Sequence, residues 1–313
     1  MSSTEDGRIR SLRPAKPHVN PSKAHGSTID SERRPGGIVE RALTVFLAGA
    51  ECPFTCSFCD LWRWTVDGPT PPGALPAQLR QVLDNLEDLD NLDRLKLYNA
   101  SNFFDPRAVP PEDLPALADL ASPFVGVTVE SHANMVGPPV LAFSACIPGR
   151  LEVAIGLETI HPVAAAHLNK RMDLPRFDAA ADFLGTHEMD LRVFVLVGAP
   201  YVAPEESVEW TVRTAEYAAR RGAAAIALIP VRGGNGELER LAGQGHFAPP
   251  PLRQLEDSLD RCVGLGPAAV AADLWDVDRL PACAECGPHR VERLRRMNLT
   301  GRSEPPVSCG ACD

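Results

Sequence analysis

The sequence predicts an α/β protein of parallel strands joined by helical crossovers. Three observations predict it. Six short apolar runs recur between residues 42 and 229, helical spacing of apolar residues fills stretches between them, and polar or glycine-containing turns follow the runs. At 313 residues the chain can bury a substantial core and suits one large domain with tails.

Residues 1–37 are rich in Ser, Pro, Arg and Lys, lack periodicity and end at Pro35-Gly36-Gly37, which predicts a flexible arm. Its basic residues are available to an acidic partner or nucleic acid, or to solvent alone. Strand and helix then alternate over 38–250. The first strand is 42–47; a helix is expected over 79–92, with Val82 and Leu86 on one face. The second strand is 95–98, followed by a helix in 112–121, and the third is 124–129. The fourth, 151–155, precedes a helix at 161–168, and the fifth, 192–197, precedes one at 205–221. The sixth is 224–229. In the extension, 251–313, residues 252–263 have helical spacing and 268–275 are apolar enough to pack on the strands. Asp273, Asp276 and Asp278 lack the spacing of a calcium loop and read as solvated or capping residues.

The formal net charge is −10. A protein that grips a phosphate backbone usually shows a basic face, so the balance points towards a small molecule, a peptide or a protein partner. No apolar run reaches membrane-spanning length and the polar N-terminus lacks a signal-peptide core, so the expected location is the cytoplasm, with no membrane partner. Seven of the nine cysteines fall in clusters with metal-ligand spacing, which calls for a reducing compartment. Cys146 and Cys262 stand alone and read as small buried residues.

Just after the first strand comes Cys52-Pro53-Phe54-Thr55-Cys56-Ser57-Phe58-Cys59. Four thiolates complete the protein ligation of a [4Fe–4S] cube; three leave one iron open to a substrate or cofactor. Zinc normally takes four ligands, and this tight run offers three.

A Cys-x3-Cys-x2-Cys loop after a first strand resembles the radical S-adenosylmethionine (SAM) superfamily. The resemblance implies a partial (β/α)6, TIM-like barrel, and the count of six strands agrees with it. It also implies that Cys52, Cys56 and Cys59 hold a [4Fe–4S] cluster whose free iron is chelated by SAM, with an electron donor such as flavodoxin or ferredoxin. Chemistry in such barrels sits at the C-terminal ends of the strands. Phe58 matches the aromatic that packs near the adenine. Asn99, Ser101 and Asn102 stand where the family has a Gly-Gly-Glu-type turn for the SAM amino group, although the glycines and the glutamate are absent here. Glu130, with Ser131 and His132, follows the third strand, where a carboxylate and an imidazole can bind ribose or methionine groups or pass protons. Glu158, after the fourth strand, faces the SAM site in this reading, and Lys170 with Arg171 can neutralise a carboxylate. Gly198, after the fifth, lets the backbone approach the adenine, and Pro230, ending the sixth, matches an adenine contact. The glycine-rich turn from Arg232 to Gly236 lacks the Lys-Ser/Thr of a P-loop and reads as a substrate-side loop. The segment 154–170 resembles the subgroup around the Elongator catalytic subunit, and 228–236 with 247–251 resembles proteins related to the radical SAM β subunit of archaeosine synthase.

The extension ends with Cys283-x2-Cys286 and Cys309-x2-Cys312, two pairs with 22 residues between them. Four thiolates satisfy one zinc ion and satisfy a second [4Fe–4S] cluster equally. His289 lies nearby and reads as a surface residue. The expected function is radical SAM hydrogen abstraction from a small-molecule or peptide substrate. Modification of a tRNA base is the alternative that the subgroup implies; a non-catalytic iron–sulfur carrier or regulatory protein is the third reading.

Overall fold

Each central strand alternates, sending aliphatic side chains to one face and polar or small ones to the other. The aliphatic face meets helices; the other lines an interior. In the computed structural model, which describes residues 2–312, the elements begin with α1 (Ser2–Ser11), β1 (Gly26–Arg33), β2 (Val39–Phe46), α2 (Ala74–Asp84), β3 (Arg94–Tyr98) and α3 (Leu114–Leu120). Then come β4 (Gly126–Glu130), α4 (Pro138–Ser144), β5 (Arg150–Glu158), α5 (Pro162–His167), α6 (Leu174–Thr186), β6 (Asp190–Val197), α7 (Ser207–Arg220) and β7 (Ala223–Pro230). The chain finishes with α8 (Glu237–Gly243), α9 (Leu252–Cys262), β8 (Ala269–Ala272) and α10 (Gly287–Thr300).

The eight strands form one sheet in sequence order. β2 to β8 pair in parallel, and β1 pairs antiparallel with β2. Leu43, Val45, Leu95, Leu97, Val127 and Val129 on the outer face join a single apolar core with Leu79, Leu117, Phe177, Val212 and Leu255 from the helices. α10 packs on both β1 and β8, the two edges of the sheet. The sheet therefore curls into a nearly closed barrel, and one helix stands in its side opening. Six parallel strands were expected; the structure adds β8 as a seventh and β1 as an antiparallel eighth.

The arm expected over residues 1–37 carries α1 and β1 instead. β1 shows no apolar alternation because its inward side chains are charged. Glu32 takes ion pairs from Lys96 and Arg192 inside the barrel. Nearby, Arg34 and Arg192 bracket Glu152 at 2.6 and 2.7 Å, and Arg94 reaches Glu40 at 2.6 Å. These charges fill the N-terminal end of the barrel in place of the usual branched apolar layers. Burial raises a carboxyl, but Arg192, Arg34 and Arg94 outweigh it and bring Glu152 down to about 2.

Other differences are local. The helix expected over 79–92 starts earlier and stops at Asp84. α4 and α6 were not anticipated; the side chain of Asp173 starts α6 by accepting the Arg176 N–H at 3.0 Å. Cys262 is buried as expected, whereas Cys146 is exposed at the end of α4. As expected, Asp273 caps the Trp275 N–H at 3.0 Å and Asp276 and Asp278 are exposed; Asp273 and Asp276 also pair with Arg232 and Arg279. Among the described residues no helix is long and apolar enough to cross a membrane.

Candidate cluster and cofactor site

The Cys52–Cys59 loop leaves the C-terminal end of β2 and is tied down from four sides. The Ser57 N–H donates to the Leu168 carbonyl at 2.9 Å, and Asn169 Nδ2 donates to the Thr55 carbonyl at 2.9 Å. Asn235 Nδ2 donates to the carbonyls of Ser57 and Cys59, at 2.9 and 3.3 Å. Phe54 stacks on the His132 ring, with centroids 4.0 Å apart. On the fourth side, Asn102 Nδ2 donates to Cys52 Sγ at 3.1 Å, while its Oδ1 accepts the His132 N–H at 2.5 Å. A hydrogen bond to a ligand sulfur is one of the levers that set a cluster's potential.

Burial pushes the Cys56 thiol up to about 12 and raises Cys52 and Cys59 as well. Such thiols ionise when a metal supplies the opposing charge, which suits ligands rather than free nucleophiles. The three sulfurs do not all lie within 4.8 Å of one another, a spacing that among the described residues only the C-terminal cysteines meet.

β5 ends in a bulge between Gly156 and Glu158, where Glu158 takes a φ of +67°. This turns its carboxylate back over Gly156 to meet Lys170 Nζ at 2.6 Å. A Cβ on Gly156 would stand 1.9 Å from Glu158 Oε1 and 2.6 Å from Lys170 Nζ, so only glycine leaves room for the pair. Burial disfavours the Lys170 charge, yet Glu158 and the cysteines hold it above its ordinary range. The ammonium also sits 5.9 Å from the centroid of the Phe58 ring. Glu158, Lys170 and Phe58, three residues singled out in the sequence, thus meet beside the cysteine loop.

Asn99 is fully buried after β3, and neither its Oδ1 nor its Nδ2 has a protein partner; the Ser101 hydroxyl is likewise unpartnered. Buried polar atoms without partners are rare in native structures. Both residues stand where an ammonium group is expected, and their unpartnered atoms fit a polar ligand there. Glu130 is spent differently, accepting the Asn99 N–H at 2.9 Å and shaping the 99–101 turn. Burial lifts it to about 7, against the lowering effect of these backbone amides.

Gly198 has the positive φ expected of a special position, but the ring of Pro250 fills the space, with atoms 2.8 Å from where a Cβ would be. Its close neighbour is this proline. Pro230 ends β7, paired with Val197. His132 is neutral: burial first and the Lys170 charge second lower it to about 4, with Nδ1 accepting the Asn134 N–H and Nε2 donating to the Lys170 carbonyl. It positions chain segments rather than moving protons.

The N-terminal segment crosses this face. Asp6 accepts from Thr55, Asn169 and Arg171, and Arg8 reaches the buried Glu237 at 2.5 Å. Arg13 and Lys16 pair with Glu51 and Asp67, at 2.8 and 3.0 Å. Arg8, Arg13, Lys16 and Arg34, expected to be available to a partner or to solvent, are paired within the chain. The Asp6 strap carried no sequence signal, and Asn102 and Asn235, marked in the sequence for the cofactor and a substrate-side loop, hold the cysteine loop instead, through partners far along the chain.

The second cysteine set is tighter. Cys283, Cys286, Cys309 and Cys312 have their sulfurs within 4.8 Å of one another, with Cys283···Cys309 at 3.9 Å and Cys286···Cys312 at 3.6 Å. Arg290 Nε donates to Cys286 Sγ at 3.2 Å, and His289 is exposed.

Compared with known proteins, the sequence matches no family profile and no curated protein. Solved structures do match. The archaeal Methanocaldococcus infernus Elp3 superposes with a TM-score of 0.52 at 12% identity, over 71% of this chain and 59% of that one. A radical SAM methyltransferase from Sphaerobacter thermophilus gives 0.52 at 16% identity, over 87% of this chain and 82% of that one. The chain thus spans about three-fifths of the Elp3 chain. These likenesses establish the architecture: the chain has the barrel fold of the radical SAM enzymes, with its three-cysteine loop after the first parallel strand.

Proposed function

We propose that the protein is a radical SAM enzyme acting on a small-molecule or peptide substrate. The observation that carries this reading is the convergence of the three-cysteine loop, the Glu158–Lys170 pair and the unpartnered Asn99 and Ser101 at the C-terminal end of one barrel. When bound, a [4Fe–4S] cluster supplies one electron to the SAM sulfonium, giving methionine and a 5′-deoxyadenosyl radical. Cys52, Cys56 and Cys59 hold the cluster, and Asn102 fixes the Cys52 sulfur. Asn99 and Ser101 offer acceptors to the methionine ammonium. Lys170, kept charged by Glu158, faces its carboxylate, and Phe58 packs nearby. The strap from Asp6 to Lys16 is tied across this end of the barrel by Thr55, Glu237, Glu51 and Asp67.

The four C-terminal cysteines fit a single zinc ion. A tetrahedron with arms of ~2.3 Å has edges of ~3.8 Å, close to the two sulfur separations. A cube would hold its thiolates outward on four separate irons, which spreads them further.

Anaerobic reconstitution with metal analysis tests both parts. About four irons and one zinc per chain are expected, and Cys56→Ala should lose the iron and keep the zinc. About eight irons would replace zinc with a second cluster, and iron retained by Cys56→Ala would sink the assignment of the loop.

A further inference from the structure

The geometry points to an oxyanion site for a phosphate group of the substrate, formed by Arg63 and Arg279 beside Gly234. It builds on the radical SAM reading only in taking the ligand to be the substrate. Arg63 lies in the short turn that follows the cysteine loop, Arg279 in the loop after β8 and Gly234 in the loop after β7. All three sit at strand C-terminal ends, and Asn235 joins the Gly234 loop directly to the carbonyl of Cys59.

The two guanidinium groups converge. A Cβ placed on Gly234 would stand 3.5 Å from Arg279 Nη2 and 3.9 and 4.0 Å from Arg63 Nη2 and Nη1. Gly234 has a φ of +112°, which side chains rarely adopt, so the point stays clear of any side chain at this position. Two cations facing one point repel each other unless a negative group lies between them. Among the described residues no carboxylate pairs with Arg63; its one ring contact is Trp62, at 5.4 Å, and its buried Nε has no partner. Arg279 reaches the Gly233 carbonyl at 2.9 Å and the exposed Asp276 at 3.3 Å. The loop's own carboxylate, Glu239, is held by the Gly234 and Gly236 N–H groups and pairs with neither arginine. The Gly234 and Gly236 amides are therefore occupied, and the arginines make the site. Two forks on one group suit a phosphate, whose charge and several oxygens exceed what a carboxylate offers.

The site also resolves a tension in the charge. A chain of net −10 would repel an anionic substrate at long range, and locally placed cations at the barrel mouth reverse that field.

Titration of the reconstituted protein with inorganic phosphate, followed by phosphorus NMR line width, tests the proposal. Phosphate is expected to bind the wild type, and Arg63→Gln to weaken it by about tenfold or more. Adding Arg279→Gln should weaken it further; the single variant leaves the Gly233 contact in place and so guards against a folding defect. Arg295→Gln, on the exposed side of α10, should bind as the wild type does. Undiminished binding by Arg63→Gln overturns the site. Acetate binding as tightly as phosphate overturns the phosphate assignment, and displacement of phosphate by saturating SAM assigns the arginines to SAM instead. SAM cleavage measured in the same preparation separates the two readings: its absence, with phosphate still held by these arginines, fails the enzymatic reading and leaves the anion site standing.

Discussion

A single methyl group at Gly156 decides whether Glu158 can fold back over its own strand. The collision would be with a carboxylate and an ammonium that are themselves buried, with side chains 6% and 14% exposed, so neither can swing freely away. Gly156→Ala should lower stability by about 1–3 kcal/mol, as overpacking does, and should weaken SAM binding by displacing Lys170. Chemical denaturation and a SAM titration of the same variant check this together; normal SAM affinity would separate the pair from the cofactor. The site was only half legible at this scale. The cysteine loop shows itself because three ligands within eight residues are a local pattern. Glu158 and Lys170 could be marked by their positions, but the bulge that joins them could not. Asn102 was assigned to the SAM ammonium along with Asn99, and only the fold shows that its amide is spent on Cys52.

Among the elements, α10 has the most to lose. It rests between the two sheet edges, and its start at Cys286 is one corner of the four-cysteine set. Arg290 and Arg293 then tie it to Glu256 and Asp260 of α9, in pairs of 2.5 to 3.0 Å. A structural zinc contributes folding energy to the chain that wraps it. Stripping the metal proposed for the four cysteines with a chelator should raise amide hydrogen exchange in α10, β1 and β8 while leaving β3 to β6 protected. Exchange unchanged in α10 would mean that the ion pairs alone hold the helix. The two Cys-x2-Cys pairs announced a metal in the sequence, but not its place against the barrel's opening. β1 was hidden for a related reason: its partners inside are charges, and a strand whose inward face is Thr28, Asp30 and Glu32 has no apolar period to read.

For the whole molecule, the barrel is closed below by an ionic layer and works at the open end above. The six central strands were legible because each sends Val, Leu or Ile outward to helices. The layer beneath was not, since Glu152, Arg192 and Arg94 come from three strands and meet only when the sheet curls. That layer sets a pH dependence. The folded-state pKa of Glu152 lies at about 2, below the usual carboxylate value, so its stabilisation is complete above about pH 5 and is lost as pH falls towards 2. Glu152→Gln should flatten the stability profile over this range and cost up to about 3–5 kcal/mol at neutral pH, because it takes the fully buried carboxylate from between Arg34 and Arg192 and leaves them only Glu32 and the rim carboxylates Glu40 and Asp190. Urea denaturation at a series of pH values reads both effects, and a variant as acid-sensitive as the wild type would place the titration elsewhere.

The measurement that bears most directly on the central claim is the fate of SAM on the reconstituted, reduced protein under anaerobic conditions. 5′-Deoxyadenosine and methionine are expected to form together, and neither from Cys56→Ala. A protein that holds its cluster, accepts an electron and leaves SAM intact would contradict it, and would make this barrel an iron–sulfur carrier or regulator.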